Sequence, residues 1–200
     1  MLFFFCLCRQ MCSQGPHDEF LKRVPDFSKF DKYTYDWDNY SWHIIEYAPQ
    51  LFDKELFNWE LYSYYLIIKR PDLFNEELFN WEYYSWAIVK HTPHLFNSDK
   101  YNWEDYSWAV VMYAPEYFDK DRYNWEDSSY AIVQYAPQYF DAEKYNWRDH
   151  SAYIVEYTPQ YFDSDKYNWE DASWAIIRYA PHLIDYRKMN WQNVYEHDCL

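Results

Sequence analysis

Adjacent carboxylates such as Glu104-Asp105 and Glu126-Asp127 are the commonest reactive grouping in the chain. Paired carboxylates can do acid–base work. These pairs recur at a fixed interval, however, whereas a catalytic site is singular. Their regular placement points instead to helix-start electrostatics, because acids in a first turn complement the helix macrodipole. His91 and His94 form an H-x-x-H broken by Pro93, so they do not share a helical face and are not expected to hold a metal. Rows of acidic turn residues, Asp119 with Asp121 and Asp163 with Asp165, could reach calcium. They lack the glycine that such loops use for their sharp turn. Cys6, Cys8 and Cys12 have no second ligand pair at zinc-site spacing, and Cys199 stands alone near the other terminus. With one glycine, Gly15, in the whole chain, no phosphate-cradling loop can form. The sequence therefore predicts no catalytic residue, no metal site and no cofactor. An enzyme would need a non-repeated pocket, which only residues 1–24 are long enough to add.

What positions these residues is a 22-residue repeat. Trp stands at 37, 59, 81, 103, 125, 147, 169 and 191, and Pro at 49, 71, 93, 115, 137, 159 and 181. Units begin at 35, 57, 79, 101, 123, 145, 167 and 189. The segment 27–34, FSKFDKYT, resembles the tail of a preceding unit. The domain reading is an N-terminal extension over 1–24, expected to be poorly ordered, and a repeat array over 25–200.

Within a unit, position two is Asn, or Asp36 in the first, and both are favoured helix N-caps. Asn102 with Asp105 approximates a capping box. Trp103, Ser107, Val110 and Ala114 then follow at helical spacing on one face. Pro115 ends the helix, since it lacks an N–H and disfavours helix in the residue before it. The spacing predicts a helix over Trp103 to Tyr113, and then a short Pro-initiated helical or 3₁₀ turn. A strand reading fails for want of period-two alternation and turn glycines.

A helix of eleven residues is marginal alone in water. The units must stack to bury their apolar faces. The fold class is therefore all-α, an α-solenoid of 22-residue repeats, with a length of about 65–80 Å at ordinary helix spacing. Two columns are expected to face each other: Trp at position three, and Phe52, Phe74, Phe96, Phe118, Phe140 and Phe162 from the short turns. Ser at position seven (Ser41, Ser63, Ser85, Ser107, Ser129, Ser151, Ser173) permits close approach, and its hydroxyl can bond the carbonyl four residues earlier. Glu196 and Asp198 in the last unit read either as a polar cap or as a fraying end.

The stretch PEYFDKDRYNWEDYSWAVVMYAP resembles the uncharacterised Trp- and Pro-bearing short helical repeats that occur in tandem in proteins of bacteria and their phages. The likeness runs over residues 25–200 and implies a fold but no activity. The alternation of helix and short turn is also similar, in architecture alone, to leucine-rich variant repeats.

A net charge of −15 argues against nucleic acid and favours a basic partner. No segment reaches the length of apolar run that spans a membrane. The apolar opening MLFFFCLC lacks a basic region, and the compartment stays open between cytoplasm and, were this a truncated export signal, secretion. Position eight holds Trp42, Tyr64, Trp86, Trp108, Tyr130 and Trp174, with Ala152 in the sixth unit beside Tyr153. About 140° from the core Trp, these rings either pack sideways in the groove between helices or form an exposed strip flanked by acids. The strip reading gives a structural or protein–protein interaction scaffold without catalysis. The alternative is a carbohydrate- or cell-surface-binding module in which sugars stack on the same rings.

Overall fold

The computed structural model describes residues 27 and 30–198. The N-terminal extension over 1–24 and all four cysteines lie outside the described residues, as does the side chain of Asp198. Among the described residues the protein is all-α, with eight helices and no strand: α1 Trp37–Tyr47, α2 Trp59–Lys69, α3 Trp81–His91, α4 Trp103–Tyr113, α5 Trp125–Tyr135, α6 Trp147–Tyr157, α7 Trp169–Tyr179 and α8 Trp191–Asp198. A three-residue 3₁₀ turn that starts on proline follows each of the first seven, as at Pro115–Tyr117. Both elements fall where the Trp and Pro spacing puts them.

Two compact units divide the chain, Met1–Ala87 and Ile88–Leu200, with the boundary inside α3. In the first, α1 packs on α2; in the second, α4 to α8 pack each on the next. None of the described helices is long and apolar enough to cross a membrane.

Each helix after the first starts on its asparagine, and the first on Asp36. The side chain of Asn124 accepts from the Asp127 N–H at 3.1 Å. Each of the first seven helices stops on the residue before proline: Ala114 sits at φ −148°, ψ 61°, outside the helical region as a pre-proline residue must. No described residue has a positive φ. That is why the repeats fold without glycine.

Neighbouring helices are joined through serine. The hydroxyl of Ser107 donates to the Trp103 carbonyl and accepts the backbone N–H of Asn124, the cap of the next helix, at 2.9 Å. The acceptance recurs at Ser41, Ser63, Ser129, Ser151 and Ser173 at 2.9–3.1 Å. The asparagine amide adds a second link. Asn124 donates to the Glu104 carbonyl of the preceding helix at 2.8 Å and to Asp127 at 2.9 Å. In a true capping box the acid would take the cap's own N–H. Here serine holds that N–H, so the acid turns to the side-chain amide instead. A carboxylate could not make either donation, and Asp36 opens only the first described helix.

The deepest layer is aliphatic. Ile44, Leu66, Ile88, Val110, Ile132, Ile154 and Ile176 at position ten are fully buried. The aromatic at position one is nearly so, as at Phe57, Tyr101 and Tyr123. The Trp column is less deep than expected. Trp37, Trp59 and Trp81 are buried, but Trp103, Trp125, Trp147 and Trp169 are half-buried and Trp191 is exposed. The indole N–H must be satisfied at either depth. From Trp37 to Trp169 it donates to a turn carbonyl five residues back, at 2.8–3.0 Å. Buried and half-buried rings make the same bond, and the facing phenylalanine meets the indole edge-on: Phe118 lies 6.1 Å from Trp125, and 5.2 Å from Tyr123. Phe30 packs on Tyr35 and Trp37 in the same way, as the tail of a preceding unit would.

Ion pairs run along the polar turns, Arg122 to Asp99, Lys144 to Asp121 and Lys188 to Asp165. Their acids are largely solvated, so each contributes at most about 1 kcal/mol.

Two stability outcomes follow from these junctions. Ser107→Ala leaves the Asn124 N–H without its acceptor and should cost about 1–3 kcal/mol in urea denaturation, with little effect of salt. The Thr158 hydroxyl is buried with no hydrogen-bond partner among the described residues, where other units carry Ala48, Ala114, Ala136 and Ala180. Thr158→Ala should therefore be neutral or stabilising in the same measurement, by up to about 1 kcal/mol.

Candidate partner-binding strip

Position eight lies on the helix face between the acids of the first turn and position twelve. Positions four, eight and twelve are a turn apart and share that face. The structure makes its rings half-buried in every unit that carries one. They pack sideways, and part of each still reaches solvent.

In the first compact unit, Trp42 meets Tyr65 of α2 edge-on at 6.0 Å. Tyr64 leans on Tyr84 and Trp86 of α3 at 6.2 and 5.3 Å. In the second, Trp108 lies 6.3 Å from Tyr113 of its own helix. Tyr130 sits against His150 and Tyr153 of α6 at 5.4 and 5.2 Å. The sixth unit thus supplies its aromatic from position nine, beside Ala152. Trp174 stacks flat on His197 of α8 at 4.9 Å and touches Tyr179 at 6.0 Å. Glu104, Asp105, Glu126 and Asp127 are exposed along the same face.

The strip has a second row that the sequence reasoning did not single out. Position thirteen carries Tyr113, Tyr135, Tyr157 and Tyr179 on α4 to α7. The signal was available, since a tyrosine two places before proline recurs in unit after unit. Lys90 covers the Tyr113 ring with its ammonium 5.2 Å from the centroid, and the Arg178 guanidinium lies 5.4 Å from that of Tyr179. Tyr135 and Tyr157 are exposed, at 41% and 40%. Glu156 stands beside Tyr157, and after burial its charge is the next cause that raises that phenol's pKa.

One junction departs from the serine rule. The Ser129 hydroxyl meets His150 Nδ1 at 2.9 Å while still accepting the Asn146 N–H. With His150 neutral and protonated on Nε2, Ser129 donates to Nδ1. Burial pushes the His150 pKa down from its ordinary value, against the opposing pull of Asp149 and Asp127. The rings of Tyr130, Tyr145 and Tyr153 surround it.

Among the described residues, no group of three or more His, Cys, Asp or Glu side chains could hold a metal ion. Comparison with protein-family models, curated proteins and solved structures finds no match to this chain. The functional reading therefore stands on residues and geometry.

The histidine fixes a pH dependence. Its folded pKa lies below the unfolded value of about 6.5, so the unfolded chain binds more protons there and stability rises with pH. The contribution is complete above pH 6.5 and is lost as pH falls towards the folded pKa. His150→Tyr, which installs the residue found at 40, 62, 84 and 106, should lose less melting temperature than the native chain between pH 7.5 and pH 5.5. An equal loss in both would show that His150 does not set this dependence.

Proposed function

We propose that this protein is a non-catalytic scaffold that binds a protein or peptide partner along the position-eight strip: Trp42, Tyr64 and Trp86 in one compact unit, Trp108, Tyr130 and Trp174 in the other. The observation that carries the reading is the state of these rings. Each is held by a neighbour yet keeps part of its surface in water, at every helix that has one. A ring already fixed by packing loses little freedom on binding, and Trp and Tyr dominate binding hot spots. The acids beside the strip and the net charge of −15 favour a basic partner and disfavour nucleic acid. Sugar stacking, the other use of such rings, needs an open ring face. Trp174 has one face taken by His197, which supports the protein reading over the carbohydrate one. The repetition of every acidic pair at the same helix start supports the absence of catalysis.

Selection of a random peptide library on the full chain tests this. A variant with leucine at all six positions, checked for helicity by circular dichroism, serves as the comparison. The native protein should enrich a basic consensus that the variant does not. Enrichment of the same sequences by both, or of none above a blank support, contradicts the proposal. Hits on a glycan array in place of peptides would favour the carbohydrate reading.

A further inference from the structure

The position-thirteen tyrosines show what the protein itself places on them. Lys90, at position twelve of one unit, lies over Tyr113 of the next. Arg178 lies over Tyr179. At the two rings between, the residue in the place of Lys90 is Met112 for Tyr135 and Gln134 for Tyr157. Neither carries charge, and those two rings are the exposed ones. A ring face attracts a cation through its quadrupole. The row thus carries a cation at both flanks, Lys90 from the preceding unit and Arg178 from the ring's own unit, and neither Met112 nor Gln134 brings one to the middle, where Tyr157 stacks on Tyr153 at 6.2 Å yet stays 40% exposed. Glu156 beside Tyr157 supplies the carboxylate that a bound cation would pair with.

We infer that Tyr135 and Tyr157, with Glu156, form a two-ring seat for consecutive cationic side chains of a basic peptide. The inference rests on the partner-binding reading above and names the partner chemistry and the residues that read it. Packed helices stand about 8–10 Å apart. An extended chain rises about 3.3 Å per residue, so two cations about three residues apart would meet successive rings. Arginine suits the seat better than lysine, because its planar guanidinium stacks on the ring and forks onto the carboxylate. The seat is the intermolecular counterpart of the contact that Lys90 makes within the chain.

The test is an NMR titration of the full chain with the peptide Ser-Arg-Ser-Ser-Arg-Ser, amidated and acetylated, at low salt. The two tyrosines are exposed, so Tyr135→Ser with Tyr157→Ser should leave the fold intact by circular dichroism and weaken binding about tenfold. Met112→Lys with Gln134→Lys should place the chain's own cations over the two rings and weaken binding as much. Glu116→Lys makes the same change in net charge on a different element and should leave affinity within about twofold of native. No saturable binding by the native chain, or equal binding by native and Tyr-to-Ser proteins, overturns the seat. So does equal weakening by Glu116→Lys, which would leave only a diffuse charge effect. Those results leave the peptide selection on the position-eight variant to decide the broader reading separately.

Discussion

Within each compact unit, one serine hydroxyl ties a helix to the next. The serine at position seven closes one turn of its own helix through the carbonyl four residues back, and its oxygen receives the N–H that caps the following helix. A helix N-terminus leaves its first N–H groups without partners inside the helix. A chain of short helices multiplies that cost at every start. Here the preceding repeat answers it, and only a side chain as small as serine lets two helices come close enough to do so. The cap asparagine answers in the other direction, with its amide on a carbonyl of the helix before. Each unit's polar ends are satisfied by its neighbour, and so is its apolar face.

This constraint explains the uniformity of the sequence. A residue that serves two units at once cannot change without disturbing both, which fixes Asn, Ser and the indole N–H across the repeats. Positions that accept side chains of several kinds vary, whether buried or exposed: position six holds Tyr, Ser, His, Ala and Val, and position twelve holds Glu, Ile, Lys, Met, Gln and Arg. Function has room only in that second set. The half-buried rings of position eight, the open tyrosines of position thirteen and the odd junction at His150 all belong to it.

Helix and turn boundaries were legible in the sequence because Asn, Trp and Pro punctuate them locally. Trp103–Tyr113 and the Pro115 turn needed only residues inside one unit. The hydroxyl back-bond of Ser107 was legible for the same reason. Its acceptance of the Asn124 N–H was not, because that partner lies 17 residues away and is set by stacking geometry. The indole bond to a turn carbonyl was not legible either, because a periodicity argument counts apolar area and omits the N–H that must find an acceptor. Position eight could not be assigned to core or surface from its angle on the wheel. At about 140° from the core, a ring lies where the neighbouring helix and the solvent meet. The Tyr135 and Tyr157 pair was hidden because tyrosine is common in this chain, and its meaning appears only beside the cation-covered rings of the adjoining units.

Amide hydrogen exchange on the native protein tests the serine linkage most directly. The backbone N–H groups of Asn58, Asn124, Asn146, Asn168 and Asn190 cap helices and have no partner within their own. The account predicts that they exchange as slowly as the mid-helix amides of Val110 and Ile132. Exchange at the rate of free helix N-termini, with the mid-helix amides still protected, would contradict it.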